Sequence, residues 1–212
     1  MNDCLGNMVR NCTACDLAGG EYALQRVVGD KTRAVLIIGE APGRKEGETG
    51  LPFVGRAGKV LDMWCDYMGI KNYVVTNMVK HRPPNNRTPT PLEVGACTPI
   101  LDWEISTVKP HAIILVGKTP VRILGKDLWK KTGDELATLS RAGFLSYRGI
   151  PVFCLPHPAY LIRKGYSSKI PDSLGKLLAS CALKLRVASR RRGSPLTTQS
   201  PSGESTAPST PS

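Results

Sequence analysis

Short runs of consecutive apolar residues alternate along this chain with longer segments in which apolar residues recur every three or four positions. The apolar runs predict strands at 34–39, 73–79, 112–117, 145–147 and 152–155. The periodic segments predict helices at 56–68, 91–108, 119–124, 159–164 and 172–189. This alternation is typical of βαβ units. We therefore expect an α/β fold, a single-domain three-layer α/β/α sandwich around a central, mainly parallel, four-stranded sheet.

The composition changes sharply near the C-terminus, which predicts a domain over 1–190 and a tail over 191–212. Fourteen of the last 22 residues are Ser, Thr or Pro, with almost no apolar side chains among them. Such a segment cannot bury enough surface to offset the entropy of ordering, so we expect the tail to be disordered.

The chain is strongly basic, with 29 Lys and Arg against 17 Asp and Glu. The tail holds two arginines and one glutamate, so a net charge of +11 belongs to residues 1–190. A polyanion is the natural partner, and nucleic acid is favoured over membrane because no basic amphipathic stripe stands out. A basic protein with no such partner remains the alternative. No secretory signal or membrane span is recognisable, so we expect a cytoplasmic protein, nucleoid-associated if prokaryotic.

Three separated segments carry polar or aromatic residues just after predicted strands. They are Gly39-Glu40-Ala41-Pro42 with its continuation to Gly58, then Thr76-Asn77-Met78-Val79-Lys80, and finally Leu155-Pro156-His157-Pro158. Ligands of parallel α/β sheets bind outside the carboxyl ends of the strands, where all three segments fall. In this order the motifs resemble the uracil-DNA glycosylase superfamily, and most closely its iron–sulfur-containing family 4. The resemblance covers about residues 10–188.

Three side chains in these segments suit an extruded base, although each also has a structural reading. The amide of Asn77 can pair with the Watson–Crick edge of uracil, but Asn at a strand end is often a turn former. The ring of Phe53 can stack on a flat base, or can anchor its Gly- and Pro-rich loop. A neutral His157 can donate to a departing uracil anion, while lone histidines are more often structural.

The resemblance implies hydrolysis of the N-glycosidic bond of uracil in DNA, which releases uracil and leaves an abasic site for base-excision repair. It assigns Glu46 as a pocket carboxylate beside the catalytic His157 and Asn77. It also implies that Glu40, Ala41 and Pro42 line the slot through their backbone. Ala41 stands where the best-known uracil glycosylases carry a water-activating Asp, and the iron–sulfur branch typically has Ala or Gly there too.

A Cys12-x2-Cys15 pair near the N-terminus has the spacing of metal ligands. The resemblance implies two more ligands of a [4Fe–4S] cluster, which match Cys97 and, at a position usually occupied by Cys, His81. A histidine can ligate an iron–sulfur cluster. A Cys3His zinc site and an empty, degenerate site are the alternatives.

The resemblance also implies contacts with uracil-containing DNA, single- or double-stranded. Lys80, Arg82 and Arg163 are expected to touch phosphates, and Leu161 to fill the space left by the extruded base. A solvated basic face is the plainer interpretation of these cations. A monomer is typical of the superfamily. Two alternative functions stay open, namely a DNA-binding protein on the same fold that does not cleave, and a glycosylase for another modified base.

Overall fold

A mixed sheet forms the centre of the computed structural model, which describes residues 2–31, 34–124, 145–165 and 170–193. Within these ranges the sheet has six strands: β1 Arg26–Val28, β2 Val35–Gly39, β3 Tyr73–Asn77, β4 Ala112–Val116, β5 Leu145–Tyr147 and β6 Ile150–Leu155. Their order across the sheet is β1-β3-β2-β4-β6-β5. The four inner strands are parallel to one another, and the outer β1 and β5 pair antiparallel to their neighbours.

The mainly parallel sheet is confirmed, but the predicted count of four strands is wrong, since the described residues form six. The two antiparallel edge strands extend it to six, and each is only three residues long. β1 was not predicted, because Arg26–Val28 contains no run of apolar residues that distinguishes it from a loop. β2, β3 and β4 are buried along their whole length, as expected for strands covered by helices on both faces.

Helices cover both faces of the sheet and make the predicted three layers. Their bounds are α1 Asn2–Arg10, α2 Arg44–Thr49, α3 Arg56–Met68, α4 Pro91–Val108, α5 Lys118–Leu124, α6 Pro158–Arg163 and α7 Asp172–Gly193, with a 3₁₀ turn at Pro84–Asn86. Side chains of α4 and α5 pack on one face with alternate strand residues such as Leu36 and Ile113. Side chains of α3 and α7 pack on the other face with the intervening residues, such as Ile37 and Ile114.

The N-terminal segment forms a helix that the sequence did not predict. Leu5 and Val9 of α1 are buried against Ile100 on the outer side of α4. Cys4 also lies in this helix, and its side chain is exposed.

The C-terminal helix runs to Gly193, past the predicted domain boundary at 190. The remainder of the predicted tail, 194–212, lies outside the described residues. In the part of the chain that the structure describes, no helix is both long and apolar enough to span a membrane.

Candidate base-binding site

The carboxyl ends of the four parallel strands meet at one edge of the sheet, and all three sequence motifs begin there. β2 ends at Gly39, its neighbour β3 ends at Asn77, and these two residues lie opposite each other in the register. β6 ends at Leu155, two residues before His157. The fold therefore brings together segments that are far apart in the sequence.

Gly39 lies between the two side chains expected to hold a base. A Cβ atom at position 39 would lie 2.5 Å from Asn77 Oδ1 and 2.5 Å from Phe53 Cε2. Both distances are well inside van der Waals contact. Asn77 and Phe53 therefore border the same small space above the end of β2. Any side chain at position 39 would occupy this space, so the residue there must be glycine.

The amide of Asn77 is buried, and its Oδ1 atom has no hydrogen-bond partner within the protein. A buried acceptor without a partner costs about 1–3 kcal/mol, so folds retain one chiefly where a ligand or water completes it. The orphaned oxygen faces the space beside Phe53 that Gly39 leaves open.

Phe53 is held in a strained backbone conformation by the helix that follows it. Its φ is 55°, in the left-handed region that residues with a Cβ rarely adopt. A Cβ atom at position 58 would lie 1.6 Å from the Phe53 carbonyl oxygen, so α3 can pack this closely only with glycine there. Arg26 adds a hydrogen bond to the carbonyl of Pro52, the residue before Phe53. Such strain at a loop tip is typical of functional sites.

His157 completes the site from the far side. The centroid of its ring lies 5.8 Å from that of Phe53. Gly117, after β4, lets the histidine approach, because a Cβ there would lie 3.2 Å from His157 Cβ. Of the three side chains expected to hold one small ring, Phe53 therefore lies close to both of the others.

Local contacts fix the protonation of His157. The residue caps α6, and its Nδ1 accepts a hydrogen bond from the backbone N–H of Ala159 at 3.2 Å. A neutral ring that accepts at Nδ1 carries its proton on Nε2. Burial, assisted by the positive charge of Arg163, lowers the pKa of His157 to about 4. The imidazole is therefore neutral at pH 7, with a single N–H donor at Nε2.

The first motif places two carboxylates near this site. Glu46 lies in α2, and its oxygens are 2.7 Å and 3.6 Å from where Cβ atoms of Gly43 and Gly55 would stand. Glu40 accepts a hydrogen bond from the hydroxyl of Thr119 at 2.5 Å. Thr119 is a contact that the sequence did not single out, since its partner lies 79 positions away.

The two small residues between these carboxylates follow β2 directly. Ala41 is half-buried against the core of the sheet, and Pro42 is buried. Their backbone continues from Glu40, the residue after β2, and their role in lining the slot stays a prediction.

Three of the four predicted metal ligands, Cys12, Cys15 and Cys97, lie close enough for their thiols to interact electrostatically. Cys97 is buried, and its pKa is raised mainly by burial, with further rises from the nearby thiols of Cys15 and Cys12. His81 is buried with no hydrogen-bond partner at Nε2, and its pKa is lowered by burial. Among the described residues, no three His, Cys, Asp or Glu side chains form a group able to hold a single metal ion.

The structure corrects one predicted DNA contact. Lys80 is fully buried, with its ammonium group 2.5 Å from the carboxylate of Glu104. It cannot reach a phosphate, because its neighbours enclose the charge. Arg87, of the same Pro-rich loop, is bound at 2.6 Å to Glu93 at the start of α4.

The other predicted DNA-binding residues are more accessible. Arg82 is partly exposed and pairs with Glu21 at 2.8 Å. Arg163 is exposed at the end of α6. Leu161 is partly buried and packs against the core, whereas its neighbour Tyr160 is 47% exposed.

Comparison with known proteins agrees with these features. Residues 27–180 match the family model described as the uracil DNA glycosylase superfamily. A type-4 uracil-DNA glycosylase of Pyrobaculum aerophilum is 36% identical over 76% of this chain and 84% of its own length. One from Thermotoga maritima is 37% identical over 73% of the chain and 80% of its own length. One from Archaeoglobus fulgidus is 32% identical over 79% of this chain and 90% of its own length.

Proposed function

The chain belongs to the uracil DNA glycosylase superfamily, among relatives of type 4, and from this membership we propose that it excises uracil from DNA. The reaction is hydrolysis of the N-glycosidic bond, with release of free uracil and formation of an abasic site. The observation that carries the proposal is the position of Phe53, which meets Asn77 beside Gly39 and has the ring of His157 5.8 Å away.

Base recognition rests on Asn77. Its orphaned Oδ1 can accept a hydrogen bond from uracil N3–H, and its amide N–H can donate to O4. Cytosine presents an acceptor at N3 and a donor at N4, so it would leave both groups mismatched in a buried site. Sites that hydrogen-bond a substrate reject a mismatched analogue strongly for this reason. The base must first leave the helix, and the Phe53 ring then stacks on it.

Bond cleavage rests on the neutral His157. As the glycosidic bond breaks, negative charge develops on uracil, and the Nε2–H of His157 is available to donate to its O2. One such donor contributes about 2.7–4 kcal/mol to transition-state stabilisation. A neutral imidazole suits this role, because it stabilises the uracil anion by donating a hydrogen bond and does not need to be protonated at neutral pH.

General-base assistance is expected to be weak. Ala41 occupies the position of the water-activating Asp in the best-known uracil glycosylases, and it offers no polar side chain. Glu46 and Glu40 are the nearby carboxylates, and either can orient water on the sugar side or favour a positively charged sugar. The sugar therefore develops oxocarbenium character before water attacks, and the charge on the leaving base is stabilised mainly by His157.

A [4Fe–4S] cluster fits the group formed by Cys12, Cys15, His81 and Cys97. The support is the orphaned Nε2 of buried His81 and the contribution of the Cys12 and Cys15 thiols to the raised pKa of Cys97. A cubane of four irons and four sulfides is larger than one ion, so its ligands stand further apart than those of a single metal. When bound, the cluster supplies a covalent link that ties the segment after α1 to α4 and to the end of the β3 segment.

The DNA is held by the basic surface around this edge of the sheet. Arg82 and Arg163 lie on the segments after β3 and β6, where they can contact phosphates on either side of the flipped nucleotide. Leu161, beside the more exposed Tyr160, is proposed to fill the space that the base vacates. We propose that the protein acts as a monomer in the cytoplasm, and a monomer is typical of the superfamily.

Incubation of the purified protein with a uracil-containing oligonucleotide, followed by alkali, tests the proposal. The wild type should produce strand breaks at uracil, and His157→Ala should lower the single-turnover rate by about 10²–10³-fold. His111→Ala is the matched control, because it removes an imidazole at the opposite end of β4 and should cleave normally. A panel of oligonucleotides with other modified bases separates uracil excision from the alternative activities. Binding without any cleavage, or full activity in His157→Ala, would refute the proposal.

A further inference from the structure

A buried ion pair lies directly behind the base-reading residue. The Lys80 ammonium donates to Glu104 Oε2 at 2.5 Å, to Thr76 Oγ1 at 2.7 Å and to the backbone carbonyl of Asn77 at 2.6 Å. The Thr76 hydroxyl in turn donates to Glu104 Oε1 at 2.9 Å. All four residues are buried, and Lys80 and Glu104 are fully so. The three donors of the ammonium are therefore each satisfied by a neighbour at the end of β3 or on α4.

Stability gives little reason to retain such a pair. Desolvating two charges costs several kcal/mol each, and well-packed apolar residues of similar size often serve as well or better. Neither charge reaches the space beside Phe53 or the solvent. The pair does hold the main chain at Asn77. Lys80 donates a hydrogen bond to the Asn77 carbonyl, and Glu104 accepts hydrogen bonds from both Lys80 and Thr76.

The same pair lies next to the predicted metal ligands. His81 follows Lys80 in the chain, and the backbone of Lys80 forms a hydrogen bond to the Cys97 thiol. The carbonyl of Lys80 accepts from the N–H of Ala23 at 2.9 Å, which fixes the segment from the other side. Lys80 thus stands between the ligand segment and the amide that is proposed to read the base.

We propose that Lys80 and Glu104 are positioning residues for base recognition. They hold the end of β3 so that the Asn77 amide presents its orphaned oxygen to uracil at a fixed depth and angle. This inference rests on the proposed function and deepens it. Discrimination between uracil and cytosine by Asn77 then depends on a charge pair that never touches either base.

The test replaces the whole pair, because removing one partner would strand a buried charge. The double variant Lys80→Met with Glu104→Leu replaces both charged side chains by apolar ones of similar volume, so it should unfold near the wild-type temperature. Free uracil and free cytosine are then compared as competitive inhibitors, and uracil excision is followed in single turnovers at saturating DNA. We expect inhibition by uracil to weaken about tenfold or more, inhibition by cytosine to change little, and the single-turnover rate to fall about tenfold to a hundredfold.

The exposed pair of Arg148 with Asp102 provides the control, since the two residues pair at 2.5 Å beside the edge strand β5. The variant Arg148→Met with Asp102→Leu should keep the wild-type preference for uracil. A wild type that does not excise uracil defeats the proposed function itself. A folded Lys80/Glu104 double variant with unchanged uracil inhibition and rate defeats only the positioning role.

A second pair of variants decides the matter if the double variant does not fold. Thr76→Val removes the hydroxyl that joins Lys80 to Glu104 with little change of volume, and Thr76→Ser restores a hydroxyl. Positioning predicts weaker uracil inhibition in Thr76→Val and recovery in Thr76→Ser. Equal uracil inhibition in the two variants, with only the unfolding temperature lowered, would overturn the inference.

Discussion

Replacing Gly39 by alanine tests the geometry of the base site without touching any group proposed to react. The new Cβ would stand 2.5 Å from both Asn77 Oδ1 and Phe53 Cε2. Apolar contacts are comfortable at about 3.5–4.0 Å, so one or both side chains must move by roughly 1 Å. The backbone cannot easily yield, because position 39 is paired in register with Asn77.

This displacement sets the expected size of the effect. A misplacement of about 1 Å at a reacting site can cost about a hundredfold in rate, equivalent to about 2.7 kcal/mol of transition-state stabilisation. Overpacking costs about 1–3 kcal/mol of folding stability. We therefore expect Gly39→Ala to remain folded, with a modestly lower unfolding temperature and a loss of activity well beyond that loss of stability.

Single-turnover cleavage, competition by free uracil and thermal unfolding measure the three quantities separately. The control is Gly95→Ala on α4, where a Cβ would meet nothing within 4 Å. It should cleave normally and gain up to about 1 kcal/mol of stability, because alanine is the better helix former. If Gly39→Ala cleaves and binds uracil as the wild type does, then Phe53 and Asn77 do not enclose the base.

Three further predictions follow from named groups of the site. The single-turnover rate should stay level from pH 7 to about pH 5 and fall only as His157, with a pKa of about 4, becomes protonated. A fall that begins near pH 6.5, the ordinary pKa of histidine, would contradict the role of His157 as a neutral donor. Asn77→Asp should lose excision of uracil, because the carboxyl has no N–H for O4, and should gain excision of cytosine, because a protonated carboxyl can donate to N3 and accept from the N4 amino group. Paired oligonucleotides bearing each base measure both rates, and a variant that still prefers uracil would exclude Asn77 as the base reader. His81→Ala should lower the iron content and visible absorption of purified protein, whereas His81→Cys should retain both; stoichiometric zinc in a colourless wild type would exclude the cluster.

The inner strands could be predicted because burial on both faces of the sheet leaves a visible run of apolar residues in the sequence. A strand buried on both faces needs apolar residues at every position, and Val35–Gly39 and Ala112–Val116 have them. The short edge strand Arg26–Val28 carries no such pattern, since only its pairing with β3 makes it a strand. Helix α1 was missed for a related reason, because its two buried residues find their partner only on α4.

The candidate site residues could be selected from the sequence by residue type and position, but most of their contacts could not be predicted. A strand end followed by Asn77 or by His157 implies a ligand edge in any parallel sheet. The tautomer of His157 depends on the backbone N–H of Ala159, and the partner of Glu40 is Thr119. These contacts are set by the three-dimensional packing, which no local pattern records.

Lys80 shows why charge in a sequence predicts exposure less securely than apolarity predicts burial. A lysine beside a Pro-rich loop favours a solvated position, because burying an unpaired ammonium is very costly. That cost disappears when an acidic partner is buried with it, and Glu104 lies 24 positions later on α4. Flanking Lys80 in the same segment, Asn77 Oδ1 and His81 Nε2 are buried without protein partners. The fold therefore pairs the Lys80 charge inside the protein and leaves without a partner the two atoms that are proposed to meet a base and a cluster.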